Sequence, residues 1–212
     1  MVFFQKSYPA PEIKKDYRTQ SIIDRLEQDF CNKCYLCEEK AQKDINVEHF
    51  IPHKEDETLK YNWDNLFLSC GHCNNIKLAK YDNILDCTKE DSKVDEVIEY
   101  RIKPFPKEKV DLTTISDDEK VLNTLELLDK IYNATNTPLK RLESANLRDK
   151  LLNEILEFQT LLFEYNSDNE KLKEKALVNI EYELSNKSAF TAFKRWIVRD
   201  SQYFRDEFKD LI

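Results

Sequence analysis

Apolar residues recur at the three- and four-residue intervals of an amphipathic helix in five stretches of the chain. These stretches cover about residues 19–30, 119–132, 139–165, 170–184 and 188–208. Polar segments separate them, including Asn-Ser-Asp-Asn at 166–169 and Ser-Asn-Lys-Ser at 185–188. The pattern therefore predicts a chain that is mainly α-helical, above all in its C-terminal half.

Local sequence features indicate where this helical half begins and what precedes it. Ser116-Asp117-Asp118-Glu119 has the polar and acidic residues of a helix start, and residues 133–138 end the helix that follows. A short strand or pair of strands is predicted earlier by Val94, Val97, Ile98, Tyr100 and Ile102. We expect an N-terminal arm at residues 1–18, a central region at 19–110 and a helical domain at 111–212, with a soft boundary between about 106 and 116.

Composition strengthens the helical prediction and limits the surface chemistry. Gly71 is the only glycine in 212 residues, so few tight turns are expected. The net charge of −8 argues against a generally basic surface for nucleic acid. Residues 1–80 hold 12 Lys and Arg against 13 Asp and Glu, and the rest hold 21 against 28. Binding of nucleic acid would need local basic contacts, a metal or a partner with a positive surface, and we favour a partner.

The chain carries no segment that predicts a membrane span or a secretion signal. No stretch reaches the roughly 18 to 20 apolar residues of a span, and the N-terminus lacks the signal-peptide pattern. We therefore expect a cytoplasmic protein with no membrane partner. In a reducing compartment, closely spaced cysteines hold a metal more often than they form disulfides.

Five of the six cysteines stand in C-x-x-C spacings. Cys34-Tyr-Leu-Cys37 and Cys70-Gly-His-Cys73 could together hold one zinc ion in a closed tetrahedral site, which is structural because no position is left for water. A pairing of Cys31 with Cys34 has the same spacing and stays open at this point. Cysteines outside the site are expected to be buried thiols.

Three segments accompany these cysteines: Val47-Glu48-His49-Phe50-Ile51-Pro52-His53, Asn62-Trp63-Asp64-Asn65-Leu66, and Cys70-Gly-His-Cys73-Asn74-Asn75-Ile76-Lys77. The combination resembles the HNH endonucleases over about residues 34–80. The resemblance implies a small ββα-metal unit, in which a hairpin and a helix hold one divalent cation beside a general-base histidine. It places His49, Asn65 and Asn74 at the three positions of the motif, and it favours Cys34 and Cys37 as the first zinc pair.

The chemistry of phosphodiester hydrolysis agrees with these assignments. His49 titrates near neutrality and could take a proton from water, while Glu48 and Asn74 offer oxygen ligands for Mg²⁺ or Mn²⁺. If residues 47–51 form a strand, Glu48 and His49 point to opposite sides, so a shared site requires a local bulge. Many members of the family carry aspartate at the position of Glu48, which leaves the metal geometry and the preferred ion open.

The remaining candidates have weaker signals. Asn65 is expected to bond backbone across the hairpin loop and so aim His49, although a plain turn asparagine is the alternative. His53 could contact phosphate or hold a metal, or could simply be a half-exposed histidine. Lys77 and Lys80 could meet the phosphate backbone from one helix face, or could be solvated. His72, inside a C-x-x-C pair, is expected to be structural or to face solvent.

Near the C-terminus, apolar residues form one helical stripe: Phe190, Phe193, Ile197 and Phe204. Core packing explains this stripe best. The neighbouring Lys194, Arg195 and Arg199 could touch nucleic acid or a partner, but a solvated face is the favoured interpretation.

The order of these elements resembles the nuclease subunits of Septu-type anti-phage defence, which also accompany some retrons. That resemblance implies a PtuA-like ABC-type ATPase as partner and a nucleic acid as substrate, with DNA favoured over RNA or tRNA. The leading hypothesis is a metal-dependent HNH endonuclease. Its alternatives are a zinc-stapled binding module without catalysis and a helical adaptor with a decayed HNH unit.

Overall fold

The computed structural model describes residues 1–41 and 43–212. Its α-helices are α1 (Gln20–Asp29), α2 (Glu57–Lys60), α3 (Gly71–Lys77), α4 (Val94–Val97), α5 (Glu119–Asn133), α6 (Pro138–Tyr165), α7 (Glu170–Leu184), α8 (Thr191–Asp200) and α9 (Gln202–Glu207). Its strands are β1 (Ile45–His49), β2 (Leu66–Cys70), β3 (Glu99–Lys103) and β4 (Lys109–Thr113). The predicted architecture, mainly α with a small ββα unit beside four cysteines, is confirmed.

Polar side chains cap the long helices at the predicted breaks. Asp118 caps α5 by accepting from the backbone N–H of Lys120 at 2.7 Å. Thr137 caps α6 and is followed by Pro138, whose missing N–H costs nothing at the first helical position. Asn169 caps α7. The helix starts thus follow from local sequence, although the residue that caps α5 is Asp118, two residues after Ser116.

Two predictions of secondary structure are wrong in part. Residues 94–97 form α4 rather than a strand, and only the residues after Ile98 extend, as β3. The run at 188–208 is two helices, because Ser201 is extended and caps α9 by accepting from the N–H of Phe204. Both segments are short apolar runs, for which periodicity alone does not separate helix from strand or one helix from two.

The first hairpin and the helix after it form the ββα unit. β1 pairs with β2 in an antiparallel register from Ile45 opposite Cys70 to His49 opposite Leu66. α3 follows β2 directly, and Gly71 is its first residue. A Cβ at Gly71 would meet the carboxylate of Asp44, the movable end of a side chain that would have to turn away. The register is regular along β1, so the side chains of Glu48 and His49 lie on opposite faces.

The N-terminal arm is part of the core rather than a free extension. Met1, Val2 and Phe4 are at most 2% exposed, and the N–H of Phe4 donates to the carbonyl of Cys87 at 2.9 Å. Lys6 is buried beneath the hairpin loop, where its ammonium donates to the carbonyl of Leu66 at 2.6 Å. Burial lowers the pKa of Lys6 to about 8. The arm therefore packs against the β1–β2 hairpin and contacts the start of β2.

Buried side chains on both sides of the predicted boundary share one hydrophobic cluster. It runs from the arm and the ββα unit through Tyr100 and Val110 to Leu127 of α5 and Phe193 of α8. The boundary region itself contains β4, which pairs with β3. A second, smaller cluster joins the end of α6 to α7 and α9. Among the described residues, no helix is both long and apolar enough to cross a membrane.

Candidate active site and metal centre

The four cysteines of the two C-x-x-C pairs lie together in the protein interior. Their Sγ atoms all lie within 4.8 Å of one another, and each residue is at most 2% exposed. Cys34 and Cys37 come from the loop after α1, whereas Cys70 ends β2 and Cys73 lies in the first turn of α3. Cys31 is half-buried and outside the cluster, so its pairing with Cys34 is excluded. Cys87 is a buried thiol, as expected.

The spacing of these thiols suits a zinc ion. A tetrahedral Zn–S shell with bonds of about 2.3 Å requires sulfur atoms roughly 3.8 Å apart, and the Sγ atoms of Cys37 and Cys70 are 3.9 Å apart. Burial raises the pKa of Cys37 and Cys73, so four thiolates at this depth require a cation to neutralise them. The cluster would join the loop after α1 to the hairpin and to α3.

His49 ends β1 and is held by contacts on three sides. Its Nε2 lies 3.0 Å from the backbone carbonyl of Lys60. The rings of Tyr17 and His53 each pack edge-on against it, with centroids 4.6 Å away. These contacts fix the plane of the imidazole while leaving the residue half-buried.

The partner of Nε2 determines which nitrogen of His49 is free to react. A carbonyl oxygen only accepts hydrogen bonds, so Nε2 carries the proton and Nδ1 has the lone pair in the neutral ring. Burial lowers the pKa of His49 from its ordinary 6.5, against the opposing bond to Lys60. Near neutral pH the ring is therefore neutral, with Nδ1 ready to accept a proton.

Asn65 is buried and bonds across the loop that follows His49. Its Nδ2 donates to the carbonyls of Ile51 at 2.8 Å and Leu59 at 3.1 Å, while its Oδ1 accepts from the N–H of Ile51 at 2.7 Å. The loop between β1 and β2 is thereby held at both ends. These are the bonds that a positional role for Asn65 requires.

Glu48 does not fit the role of ligand for a cation beside His49. The strand has no bulge here, so the two side chains point apart. Glu48 is 7% exposed, and its Oε1 accepts from the ammonium of Lys77 at 2.9 Å. Burial raises the pKa of Glu48, and Lys77 opposes this shift. The pair ties β1 to α3 within the interior.

Lys77 is therefore not available to a phosphate backbone, and that prediction is wrong. The side chain is fully buried, and its Nζ also donates to the carbonyl of His49 at 3.1 Å. Lys80 does not share its face, because it lies in a single 3-10 turn after α3 and is 64% exposed. It pairs with Glu126 at 3.2 Å.

Asn74 and His53 are the predicted site residues whose polar atoms remain open. The side chain of Asn74, in α3, makes no hydrogen bond within residues 1–41 and 43–212. His53 accepts the N–H of Glu55 at Nδ1, so its Nε2–H is free to donate. Outside the cysteine cluster, no three His, Cys, Asp or Glu side chains of the described chain share a metal-sized site. His49 therefore lies in no cluster of three such ligands within the described chain.

With this geometry established, residues 31–80 also match the family model described as HNH endonuclease. The match concerns 50 of the 212 residues, and this region, similar to HNH endonucleases, is called the HNH domain below. Over 49 residues the chain is 43% identical to the protein "Septu protein PtuB" of Bacillus thuringiensis. That alignment covers 22% of this chain and 19% of the relative, so the likeness concerns the HNH domain alone. No solved structure matches the chain.

His72 joins the HNH domain to the helices around it. Its Nε2 lies 2.9 Å from the carbonyl of Ile131, and its Nδ1 lies 2.8 Å from the carboxylate of Glu143. The ring is mostly buried at 12% exposure. A structural role for His72 agrees with these contacts to α5 and α6.

The basic cluster of α8 is neutralised inside the protein. Lys194 is fully buried and lies 2.7 Å from the carboxylate of Glu154. Arg195 and Arg199 both pair with Asp95, at 3.0 and 3.2 Å. The favoured interpretation of a solvated basic face is therefore wrong. The prediction that the aromatic stripe packs in the core is confirmed by two phenylalanines, Phe190 and Phe193, at 1% and 2% exposure.

Two residues beside the site were missed in the sequence. Tyr17 packs on His49 from the N-terminal arm, and the carbonyl of Lys60 fixes the tautomer of that histidine. The arm carries no motif, and a backbone carbonyl has no sequence signal of its own. Both contacts depend on the folded loop that Asn65 holds.

The cysteine cluster predicts which cysteine substitutions remove the metal. We expect wild-type protein to hold one zinc ion per chain and Cys70→Ser to hold none and to lose the folded N-terminal half, because a three-thiolate site leaves the shell open. Metal analysis with thermal unfolding checks both. Cys31→Ser is the matched control, and loss of zinc in that variant would contradict the assignment.

The ion pair of Glu48 and Lys77 predicts a stability effect. Glu48→Gln leaves the Lys77 charge buried and unpaired, so we expect the free energy of unfolding to fall by about 3 kcal/mol. Adding Lys77→Met should recover much of this loss, since no charge then remains buried. Urea unfolding measures both variants. A Glu48→Gln variant of unchanged stability would show that the pair is not structural.

Proposed function

We propose that this protein is a metal-dependent endonuclease of the HNH type that hydrolyses phosphodiester bonds of nucleic acid. The observation that carries the proposal is the contact of His49 Nε2 with the Lys60 carbonyl at 3.0 Å, which occupies that nitrogen and leaves Nδ1 to accept a proton. A zinc-stapled module that only binds would have no need of an imidazole fixed in this tautomer. The match of residues 31–80 to HNH endonucleases supports the same conclusion.

The residues act in a defined order in this proposal. Nδ1 of His49 takes a proton from the attacking water, and the Lys60 carbonyl stabilises the imidazolium that forms by accepting from Nε2–H. Asn65 keeps the loop in place, so the histidine keeps its aim. The free Nε2–H of His53 is placed to donate to a phosphate oxygen, since its ring touches that of His49.

A hard cation, Mg²⁺ or Mn²⁺, would neutralise charge on the scissile phosphate and on the leaving 3′ oxygen. Asn74 is the proposed ligand from this chain, because its side chain is partly exposed and makes no hydrogen bond in the described part of the protein. Glu48 is excluded from this role by its contact with Lys77. Oxygen ligands of this kind favour Mg²⁺ or Mn²⁺ over softer metals.

The biological setting that we propose is anti-phage defence. The HNH domain is similar over 49 residues to a protein named for the Septu system. We infer a complex with an ABC-type ATPase and a nucleic-acid substrate, with DNA favoured over RNA. The net charge of −8 agrees with a partner that supplies positive surface.

The decisive variant is His49→Ala. We expect at least a hundredfold loss of cleavage, because general-base catalysis contributes roughly that much or more. The assay offers plasmid, linear duplex, single strands and tRNA, with Mg²⁺ or Mn²⁺, in the presence and absence of a co-expressed ABC-type ATPase.

Zinc content and thermal unfolding of His49→Ala should stay at the wild-type level, since the side chain lies outside the cysteine cluster. Normal cutting by the variant would show that His49 is not the base. If wild-type protein cuts none of the polymers even with the ATPase, the binding module becomes the better assignment.

Asn65 offers a test of positioning separate from chemistry. Asn65→Ala removes three hydrogen bonds to the loop, so we expect a loss of about 2 kcal/mol in unfolding free energy and a lower kcat with little change in KM. The exposed Asn146, on α6, gives the control Asn146→Ala. A plain turn role for Asn65 would leave kcat unchanged once the protein is folded.

A further inference from the structure

A groove of about 840 Å³ lies between the β3–β4 hairpin and the start of α6. None of the residues assigned above to hydrolysis or to zinc lines it. Its walls carry four basic side chains, Lys107 and Lys109 from the hairpin and Arg141 and Arg148 from α6, against two acidic ones, Glu108 and Asp129. In a chain with a net charge of −8, this concentration of cations marks a surface for a negatively charged ligand.

Three of these cations are free of internal partners. Within residues 1–41 and 43–212, Lys107, Lys109 and Arg141 are exposed and have no carboxylate within 4.0 Å. Arg148 is 7% exposed and pairs with Glu108 at 2.9 Å, yet its Nε makes no hydrogen bond. By contrast, the basic residues of α8 are all bound to acids in the interior. Lys107, Lys109 and Arg141 are therefore available to bind a negatively charged ligand.

The helix that forms one wall adds to this positive potential. α6 is 28 residues long, and its first turn, with Pro138, Arg141 and Leu142, faces the groove. The N-terminal end of a helix carries a partial positive charge from its unpaired N–H groups. Together with the free lysines and arginine, this end of α6 suits phosphate groups better than carboxylate side chains spaced along a protein.

An exposed aromatic ring lies in the same hairpin, two residues before Lys107. Phe105 is 85% exposed at the tip of the hairpin, with Pro104 and Pro106 on either side and Lys107 next. Bases of nucleic acid stack on exposed aromatic rings of this kind. Lysines beside an aromatic side chain form the combination that proteins use to hold a phosphate backbone and a base at once.

The groove leads to the HNH domain. A second cavity of about 520 Å³ shares four lining residues with it: Asp129, Asn133, Ala134 and Thr135. This cavity is lined by Asn75 and Ile76 of α3, which follow the proposed metal ligand Asn74 in sequence, and by Leu78 just after the helix. His72 ties the same helix to α5 and α6, so the groove walls and α3 are held together.

We propose that this groove binds the nucleic-acid substrate beyond the cleavage site, with phosphates on Lys107, Lys109 and Arg141 and a base on Phe105. The proposal rests on the proposed nuclease function and adds to it the path of the polymer across the protein. It also gives an acidic protein a basic contact of its own.

The test measures binding separately from cutting. Fluorescence anisotropy with a short labelled DNA duplex and its separated strands is run on the His49→Ala protein, alone and with Lys109→Ala/Arg141→Ala or Phe105→Ala added. We expect the double variant to bind about tenfold more weakly and to reduce the slope of log K against log salt by roughly 1.5, because two phosphate contacts are lost. Phe105→Ala should lose about tenfold without a change in slope.

Matched controls keep charge and exposure equal. Lys171→Ala/Lys175→Ala removes two exposed lysines of α7, and Phe163→Ala removes a ring that is 81% exposed on α6. If the groove variants and the control variants have equal affinity and equal salt slope, the proposal that the groove binds nucleic acid is wrong, even where wild-type protein cleaves nucleic acid. A loss confined to the groove variants supports it, even if no polymer is cleaved and the nuclease assignment fails.

Discussion

The cluster of four cysteine thiols is the constraint on which the position of the site depends. β1 and β2 have five residues each and α3 has seven, which is too little apolar surface to hold a hairpin and helix together alone. The cluster joins the loop after α1 to the end of β2 and the first turn of α3. The hydroxyl of Tyr132 donates to the carbonyl of Cys37 at 2.7 Å and so links the cluster to α5.

Three local sets of hydrogen bonds add to the constraint that the cysteine cluster places on the site. Lys77 locks β1 to α3 through Glu48, Asn65 holds the loop after His49, and the Lys60 carbonyl sets the tautomer of His49. Each uses a buried polar group whose partners are satisfied, which is how such groups specify one arrangement. The reactive nitrogen is thus aimed by residues that need not touch substrate.

Much of this could be predicted from the sequence because the signals are local. The C-x-x-C pairs, the polar helix start at residues 116–119 and the apolar periodicity of α5 to α7 all lie within a few residues of what they determine. Because successive side chains of a strand lie on opposite faces, the sequence also predicts that Glu48 and His49 point apart if they lie in a strand.

The wrong predictions concern residues whose partners lie far away in the sequence. Lys77 meets Glu48 29 residues away, and Arg199 meets Asp95 at a separation of 104. A basic residue reads the same in sequence whether it binds phosphate or a buried acid, and only the fold distinguishes the two. The same limit hid Tyr17, and it hid the groove, whose cations come from a hairpin and a helix more than thirty residues apart.

The central claim is that His49 directs water onto a phosphodiester, and the fate of the water oxygen tests it most directly. Wild-type protein is allowed to cleave its susceptible polymer in water enriched in oxygen-18, and the new ends are analysed by mass spectrometry. The account predicts one solvent oxygen in a new 5′ phosphate and an unlabelled 3′ hydroxyl. Cyclic phosphate ends, or new ends without solvent oxygen, would contradict it.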